Sequence, residues 1–173
     1  SHILCPDAEL SDMFLIEGER GCHRGCAFCV MRRSTNGGMR LVDPGRVLEL
    51  VPDEAAKVGL VGAAISDRPQ LVDILQVLVE SGRQVGISSL RADRLTPVFL
   101  DNLAKGGYRT ITVASDGISE RMREVLDRKI TERDLLRAAE LVGSRGFHRL
   151  KVYEMMGAPS ETMDDVDELV RFA

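Results

Sequence analysis

Short, nearly unbroken apolar runs recur along the chain: MFLIE at 13–17, VGLVGAAIS at 58–66, QVGISSL at 84–90, RTITVAS at 109–115 and RLKVYEMM at 149–156. Runs of this length without polar alternation predict parallel strands covered on both faces. Between them the apolar positions switch to helical spacing. In RPQLVDILQVLVESG, Leu71, Ile74, Leu75, Leu78 and Val79 share one face, and Gly82 lies just past the end. Asp43 before Pro44, Thr96 before Pro97, and Thr131 with Asp134 three residues on are helix-start signals. Pro52 interrupts the first of these helices, so PDEAAK reads as a short turn, and ETMDDVDELVRFA reads as a last amphipathic helix.

Strand and helix thus alternate five times with no low-complexity linker, which predicts an α/β fold with a parallel sheet. The expected architecture is an open partial (β/α) barrel of about five βα units. Residues 1–10 read as a leader and 11–173 as the core domain. The chain stops after its fifth helix, leaving the last strand as an edge, so a fragment of a longer, six-unit barrel is expected. In such folds chemistry gathers at the carboxyl ends of the strands.

Composition narrows the setting. At 173 residues, 44% hydrophobic and 29% charged, the chain fits one globular domain with its own core. A net charge of −4 gives no global basic field for nucleic acid. No apolar run nears the ~20 residues that span a bilayer, and no secretory signal is visible. Four cysteines without a signal disfavour a disulfide scaffold and predict a reducing, cytoplasmic home.

Three of those cysteines, Cys22, Cys26 and Cys29, crowd into ERGCHRGCAFCVMRR, directly after the first predicted strand. Soft thiolates suit zinc or an iron–sulfur cluster. A zinc site normally takes four protein ligands, and His23 is adjacent to Cys22 rather than at a chelating interval. Cys5, on the far side of the first strand, is the one further cysteine; it reads as a spare thiol, or as the fourth ligand of a zinc or electron-transfer site. Three thiolates on a four-iron cube would leave one iron open to a chemical ligand.

CHRGCAFC resembles the C-x3-C-x-aromatic-C signature of the radical S-adenosylmethionine enzymes, with Phe28 at the aromatic position. The resemblance implies a [4Fe–4S] cluster on Cys22, Cys26 and Cys29 whose open iron chelates the amino and carboxylate groups of S-adenosylmethionine. In that family an electron from the cluster cleaves the sulfonium, and the 5′-deoxyadenosyl radical abstracts hydrogen from a substrate. The second strand ends GAAISD, where many members carry a Gly-Gly-Glu turn for the methionine ammonium; Ser66 and Asp67 stand there, so only the location carries over. Ser89, after the third strand, falls where some members place a polar cofactor contact.

ASDGISERMREVLDRKIT is similar to the strand-four segment of the branch holding coproporphyrinogen oxidase-type and methylthiotransferase enzymes. Asp116 matches its ribose-contacting residue, and Arg128, twelve residues on, its partner for the methionine carboxylate. MMGAPSET resembles that branch's GLPGET turn, with Gly157 letting backbone approach the adenine. VGAAISD, SSLRAD and GAPSET together look most like members with an upstream cobalamin-binding domain, which makes methyl transfer a candidate reaction. An electron donor such as flavodoxin or ferredoxin is implied by the family. The alternative is a non-catalytic βα module with structural zinc or a fully ligated electron-transfer cluster. His23 and His148 read as structural or solvated, the basic run Arg32, Arg33 and Arg40 as a solvated loop, Met155 and Met156 as core or pocket wall, and RSTNGGMR lacks phosphate-loop spacing.

Overall fold

The helices begin where the cap signals put them. The Asp43 side chain accepts from the Arg46 N–H to open α2 (Pro44–Glu49), and Thr96 accepts from Phe99 to open α4 (Pro97–Lys105). Thr131 and Asp134 form a reciprocal capping box at α6 (Glu132–Gly143). Helix α3 (Leu71–Glu80) buries Leu71, Ile74, Leu75 and Leu78, and the chain leaves it through Gly82 at φ +81°. The computed structural model describes residue 7 and residues 10–35, 38–88 and 90–173, with the side chains of Arg32 and Arg33 set aside. The expectations for Cys5 and Ser89 lie outside the described residues.

Five parallel strands carry the fold: β1 (Met13–Glu17), β4 (Lys57–Val61), β5 (Gln84–Ile87), β6 (Thr110–Gly117) and β7 (Arg149–Met155). β1, β4 and β5 form one ladder and β6 and β7 another. Leu90 joins the two ladders, donating its N–H to the Thr112 carbonyl at 2.8 Å and accepting from Ala114 at 3.3 Å. The strands therefore lie side by side in chain order, as in an opened barrel.

Two findings correct the sequence expectations. The first strand does not run straight into the cysteines: β2 (Glu19–Cys22) pairs antiparallel with β3 (Gly38–Leu41), and this hairpin carries the cysteine loop. β3 takes in the end of RSTNGGMR, whose first two residues close a short helix, α1 (Met31–Ser34). Two further helices, α5 (Glu120–Val125) and α7 (Met163–Phe172), complete the order; α5, capped by Ser119, is additional to the helices that the sequence predicts. The second correction concerns burial. Among the described residues, only one face of the sheet is covered. Phe14, Ile16, Val58, Leu60 and Val85 pack under the helices, whereas Leu15, Val61 and Tyr153 on the other face stay exposed. That inner face bounds an apolar cavity of about 490 Å³ against Met13, Leu15, Val61 and Tyr108. Apolar runs alone do not say whether both faces have a cover within the same chain.

Candidate cofactor site at the strand ends

The hairpin holds the cysteine loop by backbone contacts. Gly21 sits at φ +92°, and a Cβ there would lie 2.3 Å from the Gly38 carbonyl oxygen, so only glycine lets the two strands close immediately before Cys22. Further along, Cys29 N–H donates to the Cys26 carbonyl at 3.1 Å and Ala27 N–H to the Leu126 carbonyl at 3.0 Å, which pins the loop to the end of α5. All three thiols are free and half-buried.

Opposite them the strand ends close a cavity of about 230 Å³. Cys22, Cys26, Cys29 and Phe28 form one side; Ser66 and Asp67 come from the turn after β4, Asp116 from β6, and Arg128 from beyond α5. Eight of the ten residues singled out in the sequence thus meet at one place. Gly157 does not line this cavity; at φ +79° its N–H donates to both carboxylate oxygens of Glu161, at 3.1 and 3.0 Å. Ser89, the tenth, lies outside the described residues.

Sequence reasoning passed over two charged residues of this wall, Arg24 and Arg91. Arg24, within the cysteine loop, donates from Nε and Nη2 to the two oxygens of Asp67 at 2.7 and 2.6 Å. Arg94 adds a contact at 3.2 Å and Arg91 approaches to 3.8 Å. Burial pushes the Asp67 carboxyl up, but the hydrogen bond from Arg24 and the charges of Arg24, Arg91 and Arg94 outweigh it and leave it below its ordinary value. Its carboxylate is therefore already saturated by guanidiniums. Arg24 and Asp67 stand 43 positions apart, so no local spacing announces the pair.

Asp116 occupies the left-handed region at φ +65°, beside a register shift between Ala114 and Asp116. That bulge turns its carboxylate onto Arg128 Nε at 2.9 Å. Burial holds the Asp116 carboxyl above its usual range despite the lowering charges of Arg128 and Arg91. On the far side of the turn after β4, fully buried Glu19 accepts the Ala64 N–H at 2.6 Å. A Cβ at Gly62 would fall 2.2 Å from its oxygen, which explains the glycine there. Burial also raises the Glu19 carboxyl.

The donor set fits a thiolate-ligated cluster with an anionic ligand beside it: three soft donors on one wall and the guanidiniums of Arg24, Arg91 and Arg128 on the others. Among the described residues, no group of three or more His, Cys, Asp or Glu is gathered closely enough to hold a single metal ion. The described residues also contain no helix long and apolar enough to cross a membrane.

Comparison with known proteins agrees with this arrangement. A family model described as the Radical SAM superfamily matches residues 16–173. An uncharacterized protein of Methanocaldococcus jannaschii is 33% identical over 165 residues, covering 91% of this chain and 36% of its own length. Among solved structures, the radical S-adenosylmethionine methyltransferase TsrM of Kitasatospora setae superposes with a TM-score of 0.73 at 19% identity, over 92% of this chain and 33% of that one. The cobalamin-dependent S-adenosylmethionine radical enzyme OxsB gives a TM-score of 0.67 at 16% identity, over 91% of this chain and 26% of that one. The chain therefore spans about a third of the length of the relatives it matches.

Proposed function

The chain belongs to the radical SAM superfamily, and from that premise we propose that residues 11–173 are the cofactor-binding core of a radical S-adenosylmethionine enzyme. The observation that carries this reading is the convergence of Cys22, Cys26, Cys29, Asp116 and Arg128 on one cavity from separate strand ends. In the proposal the three thiolates hold a four-iron cluster with one open iron, and S-adenosylmethionine binds beside it. When bound, the pair supplies reductive cleavage of the sulfonium and a carbon radical for hydrogen abstraction.

The chain's own residues orient and shield that pair. Phe28, 44% exposed at the cavity mouth, covers the cluster side with an apolar ring. Ser66 and the backbone of the turn after β4 face the cofactor's ammonium, while Asp67 acts through Arg24 on the loop. Asp116 accepts from a ribose hydroxyl. The Gly157 turn, and Ser89 by resemblance, belong to the adenosine side. Likeness of the VGAAISD, SSLRAD and GAPSET segments to cobalamin-dependent members supports a cobalamin domain elsewhere in a longer polypeptide, and methyl transfer as the reaction. TsrM has been solved with cobalamin and a [4Fe–4S] cluster bound. A flavodoxin or ferredoxin is the proposed electron source, and the cytoplasm the proposed location.

The test is anaerobic cluster reconstitution, followed by electron paramagnetic resonance of the reduced protein with and without S-adenosylmethionine. A four-iron signal that changes on adding the cofactor is expected, and Cys26→Ala should lose it. Zinc without sulfide, or a four-iron signal indifferent to the cofactor, would overturn the reading.

A further inference from the structure

The three guanidiniums on the cavity wall are not equivalent. Arg24 gives Nε and Nη2 to Asp67. Arg128 faces a partner at each nitrogen: Nη2 donates to the Ala114 carbonyl at 2.8 Å, Nη1 lies 3.6 Å from Cys26 Sγ, and Nε makes an ion pair with Asp116 at 2.9 Å without hydrogen-bond geometry. Arg91 differs. It is only 6% exposed, and its Nη2 donates to Asp93 at 2.8 Å and to the Lys129 carbonyl at 3.1 Å. Its Nε and Nη1 are buried without a hydrogen-bond partner. Asp67, 3.8 Å from Nε, is already saturated by Arg24 and Arg94.

A buried cationic donor left unmade is costly, and native proteins rarely retain one that nothing satisfies. Asp93 and Lys129 fix the Arg91 head group on one side, which leaves Nη1 as a buried donor of the wall with neither a hydrogen bond nor an ion-pair contact. We propose that Arg91 is the anchor for the carboxylate of the cofactor bound in this cavity. Arg128, matched to that role by resemblance, instead holds Asp116 and the Ala114 carbonyl in place and donates toward the Cys26 sulfur. This assignment rests on the function proposed above and names the residue that reads one group of the cofactor.

The experiment compares S-adenosylmethionine with its decarboxylated form, which keeps the sulfonium and the amine. Dissociation constants for both are measured by equilibrium dialysis on anaerobic, cluster-reconstituted protein, for the wild type, Arg91→Gln, Arg91→Lys and Arg128→Gln. Loss of a charge-assisted hydrogen bond predicts that Arg91→Gln weakens S-adenosylmethionine by about tenfold to a hundredfold. Its affinity for the decarboxylated form should stay near that of the wild type. Arg91→Lys keeps the charge and should recover part of the loss, which separates anchoring from misfolding. Arg128→Gln should weaken both ligands alike. If Arg128→Gln, and not Arg91→Gln, removes the preference for the carboxylate, the proposal is overturned. Failure of the underlying reading has a different signature, because wild-type protein would then bind neither ligand.

Discussion

Replacing Asp67 by asparagine tests whether the arginine cluster is the fastening it looks to be. The Asp67 side chain is 1% exposed and that of Arg24 15%. Asparagine keeps the size but offers one acceptor and turns two N–H donors toward guanidiniums that also donate. Removing one partner of a buried pair costs about 3–5 kcal/mol, because the other charge stays buried without compensation. Set against a typical total of about 5–15 kcal/mol, that is a large loss. For a chain of this size it lowers the melting temperature by roughly 10 °C. The assay is urea unfolding followed by circular dichroism from pH 3 to pH 8.

The pH dependence has a definite sign. Asp67 is held below its ordinary value in the fold, so the native state takes up its proton at lower pH than the unfolded chain. The stabilisation is complete above the unfolded value of about 3.9 and is lost as pH falls through the lower folded one. The gap between wild type and Asp67→Asn should therefore be widest near neutrality and narrow below about pH 4. The double variant Arg24→Gln/Asp67→Asn should lose at least 1 kcal/mol or so less than the sum of the two single changes. An Asp67→Asn protein within about 1 kcal/mol of wild type at pH 7 would refute the argument that this pair fastens the loop.

Two further changes probe the neighbourhood of Asp116. At Gly117 an added Cβ would sit 2.5 Å from the Arg123 backbone nitrogen and 2.8 Å from its Cα. Gly117→Ala should therefore cost about 2–3 kcal/mol in the same unfolding assay and weaken cofactor binding by displacing Asp116; an unchanged midpoint would show that α5 yields freely. Glu154 lies on the covered side of β7, where burial raises its carboxyl to about 7 against the lowering effects of Ser115 and Arg123. Its folded value exceeds the unfolded one, so the native state binds the extra proton and stability falls as pH rises between them. Glu154→Gln, discounted for partial solvent screening, should gain about 1 kcal/mol over wild type at pH 8 and nothing below pH 4. A constant difference across that range would place the titration elsewhere.

Much of the fold was written locally. Pro44 and Pro97 behind their caps, the Thr131–Asp134 box and the α3 stripe need only neighbours within one or two turns, so the sequence carries them unaided. The same holds for the cysteine spacing, because three thiols within eight residues stay in one loop wherever that loop lies. What depends on distant partners was not legible. The β2–β3 hairpin pairs short, polar segments that carry no strand periodicity, and α5 is a helix of six residues whose cap, Ser119, also binds Asp165 of α7 at 2.6 Å. Alternation along β7 puts Tyr153 and Glu154 on opposite faces, yet only the sheet decides that Tyr153 looks inward and Glu154 toward Ser115 and Arg123.

Contacts between near neighbours in the chain suffice for five strand–helix units, for the position of the cysteine loop at the strand ends, and for which residue types stand near it. Local hydrogen bonding and apolar periodicity act between neighbours in the chain, and they suffice for that. The tertiary structure alone decided how the charges are shared: Asp67 goes to Arg24, Asp116 to Arg128, and Arg91 is left with donors to spare. Such pairings form between segments tens of residues apart. Their energies depend on separation and burial in space, which the order of residues does not contain.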